Sequence, residues 1–251
     1  AYRRQRQMCI RDRYKGVYAT DEDVPVNPLT GERLRMGGNT STQAYFKAGD
    51  PIWVDVNGDY IIDEKDKVIV GNSQPRMTGG ISINLRYKAF SINTNCSFTL
   101  RRDIINKALA DRFRAYGTPV AGKVDLTGRG ALTPIEAYNF WTEDNIYAQY
   151  PNPFDYTRSS IIQPFRYDQT LFMEDGSYFK INGISVAYTI PKKMLDFFRI
   201  SRCQLNFSMN NIYTFSKYSG INPENVNNLG YDTSGGYPNG RTVTFGVSMD
   251  F

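Results

Sequence analysis

No histidine occurs anywhere in the 251 residues. Ser–His and Cys–His nucleophilic pairs and histidine-ligated zinc or iron are thereby excluded. Cysteine is nearly as scarce, and Cys9, Cys96 and Cys203 have the spacing of neither a metal site nor a disulfide framework. No apolar run reaches the roughly 18 residues of a membrane-spanning helix, and no secretory apolar region is read in the chain. Glu136, Glu143 and Asp144 have no local pattern suited to acid–base catalysis. The chain is therefore expected not to be an enzyme. Broad positive charge is missing too. The formal net charge is +5, but residues 1–13, AYRRQRQMCIRDR, carry five arginines (Arg3, Arg4, Arg6, Arg11, Arg13) against the single Asp12. The remainder is close to neutral, which leaves no footprint for nucleic acid. Residues 1–13 match nothing that follows and read like translated sequencing-adapter text. They are expected to be non-native and are set aside from fold reasoning, a genuine basic arm being the alternative.

What is abundant is alternation. The segment 241–251 places Val243, Phe245, Val247, Met249 and Phe251 on one face and Thr242, Thr244, Gly246, Ser248 and Asp250 on the other. Period-two alternation over about ten residues suits a transmembrane β-strand, with lipid on one side and a wet lumen on the other. Gly79 to Arg101 reads as a hairpin. Ile81, Ile83, Leu85 and Tyr87 lead into a two-residue turn at Lys88-Ala89, and Phe90, Ile92, Thr94, Cys96, Phe98 and Leu100 lead out. Such a turn makes Tyr87 and Phe90 a cross-strand pair on one face. A third strand, Ser177 to Ile190, changes phase at Asn182-Gly183, where one extra residue predicts a β-bulge. A fourth runs from Arg202 to about Lys217, with Tyr213, Phe215 and Tyr218 clustered at its far end as an interface girdle. Mean hydropathy is −0.47 and aromatics make up 14%. A barrel has both properties, because alternating strands average to mild hydrophilicity and aromatic girdles mark the interfaces.

The connections sort by length: short at 88–89, long at 103–170, short at 191–201, long at 219–240. Outer-membrane barrels show this asymmetry, with short periplasmic turns and long extracellular loops. In the stretch 103–170, Pro and Gly spacing argues against any long element, with a short helix expected over Pro134 to Asn139. The fold class expected is all-β: an antiparallel transmembrane β-barrel segment with long extracellular loops. Residues 14–78 are expected to form an extracellular loop region, and 79–251 the carboxy-terminal strands and loops.

Several phrases resemble the SusC/RagA-type TonB-dependent outer-membrane transporters: YKGVYATDEDV from residue 14, GDPIWVDVNGDYIIDEKDKVIVGN at 49–72 and PRMTGGISINLRYKAFSI at 75–92. WTEDN at 141–145, EDGSYFKINGISVAYTIPKK at 174–193, LNFSMNNIYTFSKYSGINPE at 205–224 and GGYPNGRTVTFGVSMDF at 235–251 extend it. The resemblance corresponds to the carboxy-terminal part of that family. It implies import of glycan or peptide fragments across the outer membrane of a Gram-negative, Bacteroidetes-like bacterium. The partners it implies are a SusD-like surface lipoprotein, TonB acting through an amino-terminal part absent here, and the barrel assembly machinery reading Phe251. An oligosaccharide or peptide would be the substrate. The competing expectation is a secreted all-β module that binds calcium and carbohydrate.

One constellation could carry chemistry. Asp55, Asn57, Asp59, Ile61 (through its carbonyl), Asp63 and Asp66 have the spacing of an EF-hand-like calcium loop, and calcium takes six to eight oxygens. Tyr60 stands where the sharp turn prefers Gly, and Asp66 where Glu is usual. An acidic turn with solvated carboxylates is the plainer alternative. Tyr138, Trp141, Tyr147 and Tyr150 are weaker candidates, able to stack on sugar rings or simply to pack a loop. Arg86 and Arg101 are expected to face the lumen.

Overall fold

The structure is a computed structural model that describes residues 8–38, 42–116, 119–120, 123–124, 137–158, 160–195, 200–232 and 239–250. The chain divides into two compact units, one of residues 1–73, 105–174 and 227–233, the other of 74–104, 175–226 and 234–251.

The second unit is a five-stranded antiparallel sheet. Its strands are β1 (Met77–Tyr87), β2 (Phe90–Leu100), β3 (Tyr178–Thr189), β4 (Arg202–Ser216) and β5 (Thr242–Asp250), in the order β5-β4-β3-β2-β1. The hairpin closes as the turn demands: Tyr87 opposes Phe90, and Lys88 takes φ 53, a left-handed conformation of the kind these tight turns use. Opposed residues share a face, so the register writes rows across the sheet. Leu85, Ile92, Val186, Phe207 and Phe245 form one apolar row, and Tyr87, Phe90, Tyr188, Leu205 and Val247 the next. Asn84, Asn93, Ser185, Ser208 and Thr244 form a row on the other face, where Asn93 donates to Asn84.

The expected bulge in β3 is present. Ile181 opposes Cys96 and Gly183 opposes Asn95, leaving Asn182 as the extra residue. A second irregularity in β4 was not legible. Ile181 opposes Tyr213 but Gly183 opposes Asn210, so β4 carries both Asn211 and Ile212 across the gap, with Asn211 at φ 54. Two inserted residues restore the parity of the alternation, so the apolar pattern of β4 runs through the bulge without a visible slip. Cys96 and Cys203 are free thiols, as expected from strands that are not neighbours.

The first unit is better built than its reading as loops implies. Short strands pair within it, Tyr14–Val17 with Pro51–Trp53 and Arg35–Met36 in parallel with Ile61–Ile62. One core gathers Tyr18, Val24, Leu34, Phe46, Trp53, Ile62 and Ile162. A second surrounds Phe113, whose ring lies 4.8–5.5 Å from those of Tyr138, Phe140, Tyr150 and Phe165, all near edge-on. Phe113 belongs to helix α1 (Lys107–Tyr116), which corrects the expectation that 103–170 lacks a long element. The Pro and Gly residues begin only after it. Asn106 caps it by accepting the Leu109 amide, and Ala110 and Phe113, three apart, form its buried side. The short helix expected over Pro134 to Asn139 lies largely outside the described residues.

Of the segment expected to be foreign, residues 8–11 pair with Val68–Asn72. Asp12 is buried, 1% exposed, and neither carboxylate oxygen accepts a hydrogen bond although Arg166 Nη2 lies 2.7 Å away. Burial pushes that carboxyl up to about 6. The Arg166 charge faces the buried carboxylate, and the Asp12 amide and carbonyl pair with Asp168 and Thr170.

Candidate functional site

The sheet presents two chemically sorted faces. On one, Ile81, Ile83, Leu85, Ile92, Phe207, Val243, Phe245, Val247 and Met249 are exposed. This side carries no charge, and its two ends are aromatic. Phe90 and Tyr188 stand 4.6 Å apart at the short-turn end, beside Tyr87. Phe179, Phe215 and Tyr213 cluster at the long-loop end, with Tyr213 and Phe215 4.6 Å apart. Tyr218, expected in that girdle, is buried instead, its ring close over Gly220. Along β3 the two aromatic ends are separated by the span from Phe179 to Tyr188. At about 3.3 Å per residue that is roughly 30 Å of strand, or about 23 Å of height at a 40° tilt. A barrel's outward apolar band is about 25 Å tall between its girdles.

The opposite face is mostly Ser, Asn and Thr, with Arg86, Lys180, Arg202 and Asp250 among its charged residues. Ser82 Oγ donates to Asn95 Oδ1 at 2.7 Å. Arg86 lies exposed on this face, whereas Arg101 sits beyond the end of β2 at φ 56, its amide on Ser177 Oγ. Lys180 is only 7% exposed and pairs with Glu224 at 2.5 Å. Glu224 gives no signal in the sequence, because its loop shows no periodicity.

The acidic loop of the first unit spends its oxygens on its own backbone. Asp55 accepts from Gly58 and Tyr60 amides at 2.7 and 2.8 Å, and Asp59 accepts from Ile61 at 2.9 Å. Asp66, buried, accepts from Val56 and Asp63 at 2.8 and 2.9 Å, and Asp63 caps the turn Glu64–Asp66. Tyr60 adopts φ 62, the left-handed conformation that the sixth loop position needs, and its ring packs on the first core. Among the described residues no three His, Cys, Asp or Glu side chains group as a metal site.

The aromatic candidates separate. Trp141 is buried above Gly49, where an added Cβ would meet its ring at 2.8 Å. Tyr138 and Tyr150 pack on Phe113. Tyr147 is 84% exposed. Glu143 and Asp144 sit exposed in a turn, and Glu136 lies outside the described residues. Deep in the same unit Arg158 meets Asp50 through Nε–Oδ1 at 3.1 Å and Nη2–Oδ2 at 2.5 Å, and also donates to the Tyr45 carbonyl at 2.7 Å. Burial raises the Asp50 pKa, opposed by its hydrogen bond and charge contact with Arg158.

No protein-family profile matches the chain. The chain is 28% identical over 252 residues to TonB-dependent receptor P3 of Formosa agariphila, covering 95% of this chain and 21% of the relative. It is 26% identical over 232 residues to TonB-dependent receptor P39 of the same organism, covering 88% and 20%. To TonB-dependent receptor SusC of Bacteroides thetaiotaomicron the identity is 22% over 241 residues, covering 88% and 21%. These relatives are receptors rather than enzymes. The solved RagAB peptide transporter superposes with a TM-score of 0.59 at 20% identity, over 96% of this chain and 22% of the matched chain. The RagAB peptide importer in its closed-closed state gives 0.57 at 18% identity, over the same shares. By sequence the chain is similar to TonB-dependent receptors, SusC among them, and by fold to the RagAB structures, and it spans about a fifth of the length of the curated relatives it matches.

Proposed function

We propose that this chain supplies five adjacent wall strands of an outer-membrane importer. The uncharged face turns to lipid and the polar face to the lumen. The observation that carries this reading is the apolar band closed by aromatics at both ends, at a height that matches a bilayer core. A soluble sheet would bury such a face against a core. The sorted connections agree: all three stretches of the first unit branch from the same ends of the strands, while the other ends close through 88–89 and 190–201. In this reading the first unit lies outside the cell. Transport in the complete receptor is driven through TonB, a SusD-like lipoprotein closes the outer mouth, and the cargo is a glycan or peptide fragment. The test is fractionation and uptake in the source bacterium. The intact receptor is expected in the outer-membrane fraction, released only by detergent, and its deletion should abolish growth on one class of oligosaccharide or peptide. Release without detergent would favour the secreted module instead.

Calcium at Asp55, Asn57, Asp59, Ile61, Asp63 and Asp66 is also our proposal. Its support is the loop spacing together with the turn conformation of Tyr60. The carboxylates already accept backbone amides, which limits the oxygens left for an ion, so binding at about 10⁻³ M, the weak end for extracellular modules, is the expectation.

A further inference from the structure

The polar face of the sheet is open at one end and covered at the other. Near the short turns Asn84, Arg86 and Asn95 are exposed. Near the long loops Thr99 and Lys180, which also stand on polar rows, are buried. The segment after β4 lies against Lys180. Asn222 and Pro223 are buried, the Glu224 amide donates to Asn222 Oδ1 at 2.9 Å, and the Val226 amide donates to the Glu224 carbonyl at 3.0 Å. Two cations from the sheet hold this short turn. Lys180 Nζ of β3 reaches Glu224 Oε2 at 2.5 Å, and Arg102, just past β2, donates through Nη2 to the Pro223 carbonyl. Burial lowers the Arg102 pKa, and the nearby Glu224 charge opposes that shift. The returning end of the same loop is fastened separately, by Asn211 Nδ2 on the Gly240 carbonyl at 3.1 Å, at the two-residue bulge of β4. A cavity of about 170 Å³ lined by Lys180, Asn211, Thr214, Asn222, Glu224 and Arg241 remains in this region.

The segment Ser219–Val226 exposes Ile221, and its ties to the strands include the Glu224–Lys180 ion pair and the Arg102 hydrogen bond to the Pro223 carbonyl. A desolvated ion pair holds only while both partners are present, since removing one leaves the other buried and uncompensated. We propose that residues 219–226 are a strap with two positions. It is latched over the long-loop end of the polar face by Glu224 on Lys180 and by the Pro223 carbonyl on Arg102, and its release uncovers Lys180. That this matters for transport rests on the reading of the polar face as the lumen side; the latch itself does not.

The experiment uses the intact receptor extracted from the outer membrane, as wild type, Glu224→Gln and Lys180→Met. Two readouts are followed: hydrogen exchange at the Glu224 and Val226 positions, and acylation of Lys180 by a water-soluble amine reagent. Glu224→Gln is expected to speed exchange at both amides about tenfold and to raise Lys180 acylation at least fivefold. Heat-modifiable migration of the barrel should stay as in wild type, which separates unlatching from misfolding. Lys180→Met should speed the same exchange. The exchanged pair Lys180→Glu with Glu224→Lys should not fully restore protection, because Arg102 then lies near a cation; full rescue would show that the Arg102 charge does not act on position 224, leaving its bond to the Pro223 carbonyl. Unchanged exchange and acylation in Glu224→Gln would overturn the latch. Failure of the importer reading shows differently, as a wild-type protein that leaves the cells without detergent.

Discussion

Arg158 and Asp50 are 5% and 2% exposed and tie residues 45–50 to the chain around 158 through three hydrogen bonds. A buried pair of this kind contributes little over an apolar substitute, but half of it is worse than none. Arg158→Met should therefore cost about 3–5 kcal/mol, because Asp50 keeps its burial and loses its partner. Asp50→Leu with Arg158→Met should recover most of that, read as protease resistance of the first unit in the intact receptor. Tyr60 poses the opposite problem. Its φ of 62 costs about 1–3 kcal/mol for a bulky residue, while its ring contributes to the first core. Tyr60→Gly should tighten calcium and Asp55→Ala with Asp59→Ala should abolish its effect, both read as the calcium-dependent shift of protease cleavage between 55 and 66. No shift at millimolar calcium in wild type would leave only an acidic turn. The residues best read from sequence were those whose role is local, such as Tyr87 and Phe90 flanking a two-residue turn. Glu224, Arg158 and Asp50 were missed because their partners lie 44 and 108 positions away.

At the scale of elements, the strands carry the sorting of faces, and that makes a paired prediction possible. Phe245 sits mid-strand on the apolar face, 68% exposed, and its neighbour Thr244 lies on the polar face. Phe245→Arg should cost about 2–4 kcal/mol, as a cation at the bilayer midplane does. Thr244→Arg should be nearly neutral. The check is the amount of each receptor folded in the outer membrane, scored by heat-modifiable migration. Equal losses would mean that the two faces do not differ in environment. Helix α1 was hidden for a physical reason. Ten residues with a buried side of Ala110 and Phe113 give a weak periodic signal beside strands of alternating residues, and its stability comes from the ring cluster rather than from propensity.

At the scale of the molecule, β1 and β5 are the edges of the described sheet, and in the importer reading they pair with further strands of a barrel. The relatives' lengths are consistent with such a larger barrel. Phe251 lies outside the described residues. If it is the assembly signal, its deletion should deplete the intact receptor from the outer membrane by far more than the roughly 0–1 kcal/mol that a change near an interface costs. Normal levels would remove it as a signal. The non-native reading of residues 1–13 predicts that no peptide from 1–13 is found by mass spectrometry of the source membrane.

Strand positions, the hairpin register and the bulge in β3 followed from sequence alone. Side-chain period, turn length and a single inserted residue are local quantities, and each changes which face a residue occupies. The family resemblance lay in the sequence for the same reason, in contiguous phrases around these strands. Tertiary structure decided what locality cannot encode. It drew Tyr138, Trp141 and Tyr150 into packing and left Tyr147 exposed. It joined stretches far apart in the chain into a unit with two cores, and it laid residues 219–226 over the polar face. Those outcomes depend on which distant groups meet to exclude water or neutralise charge, and a parity-preserving bulge such as that in β4 leaves no trace in the alternation at all.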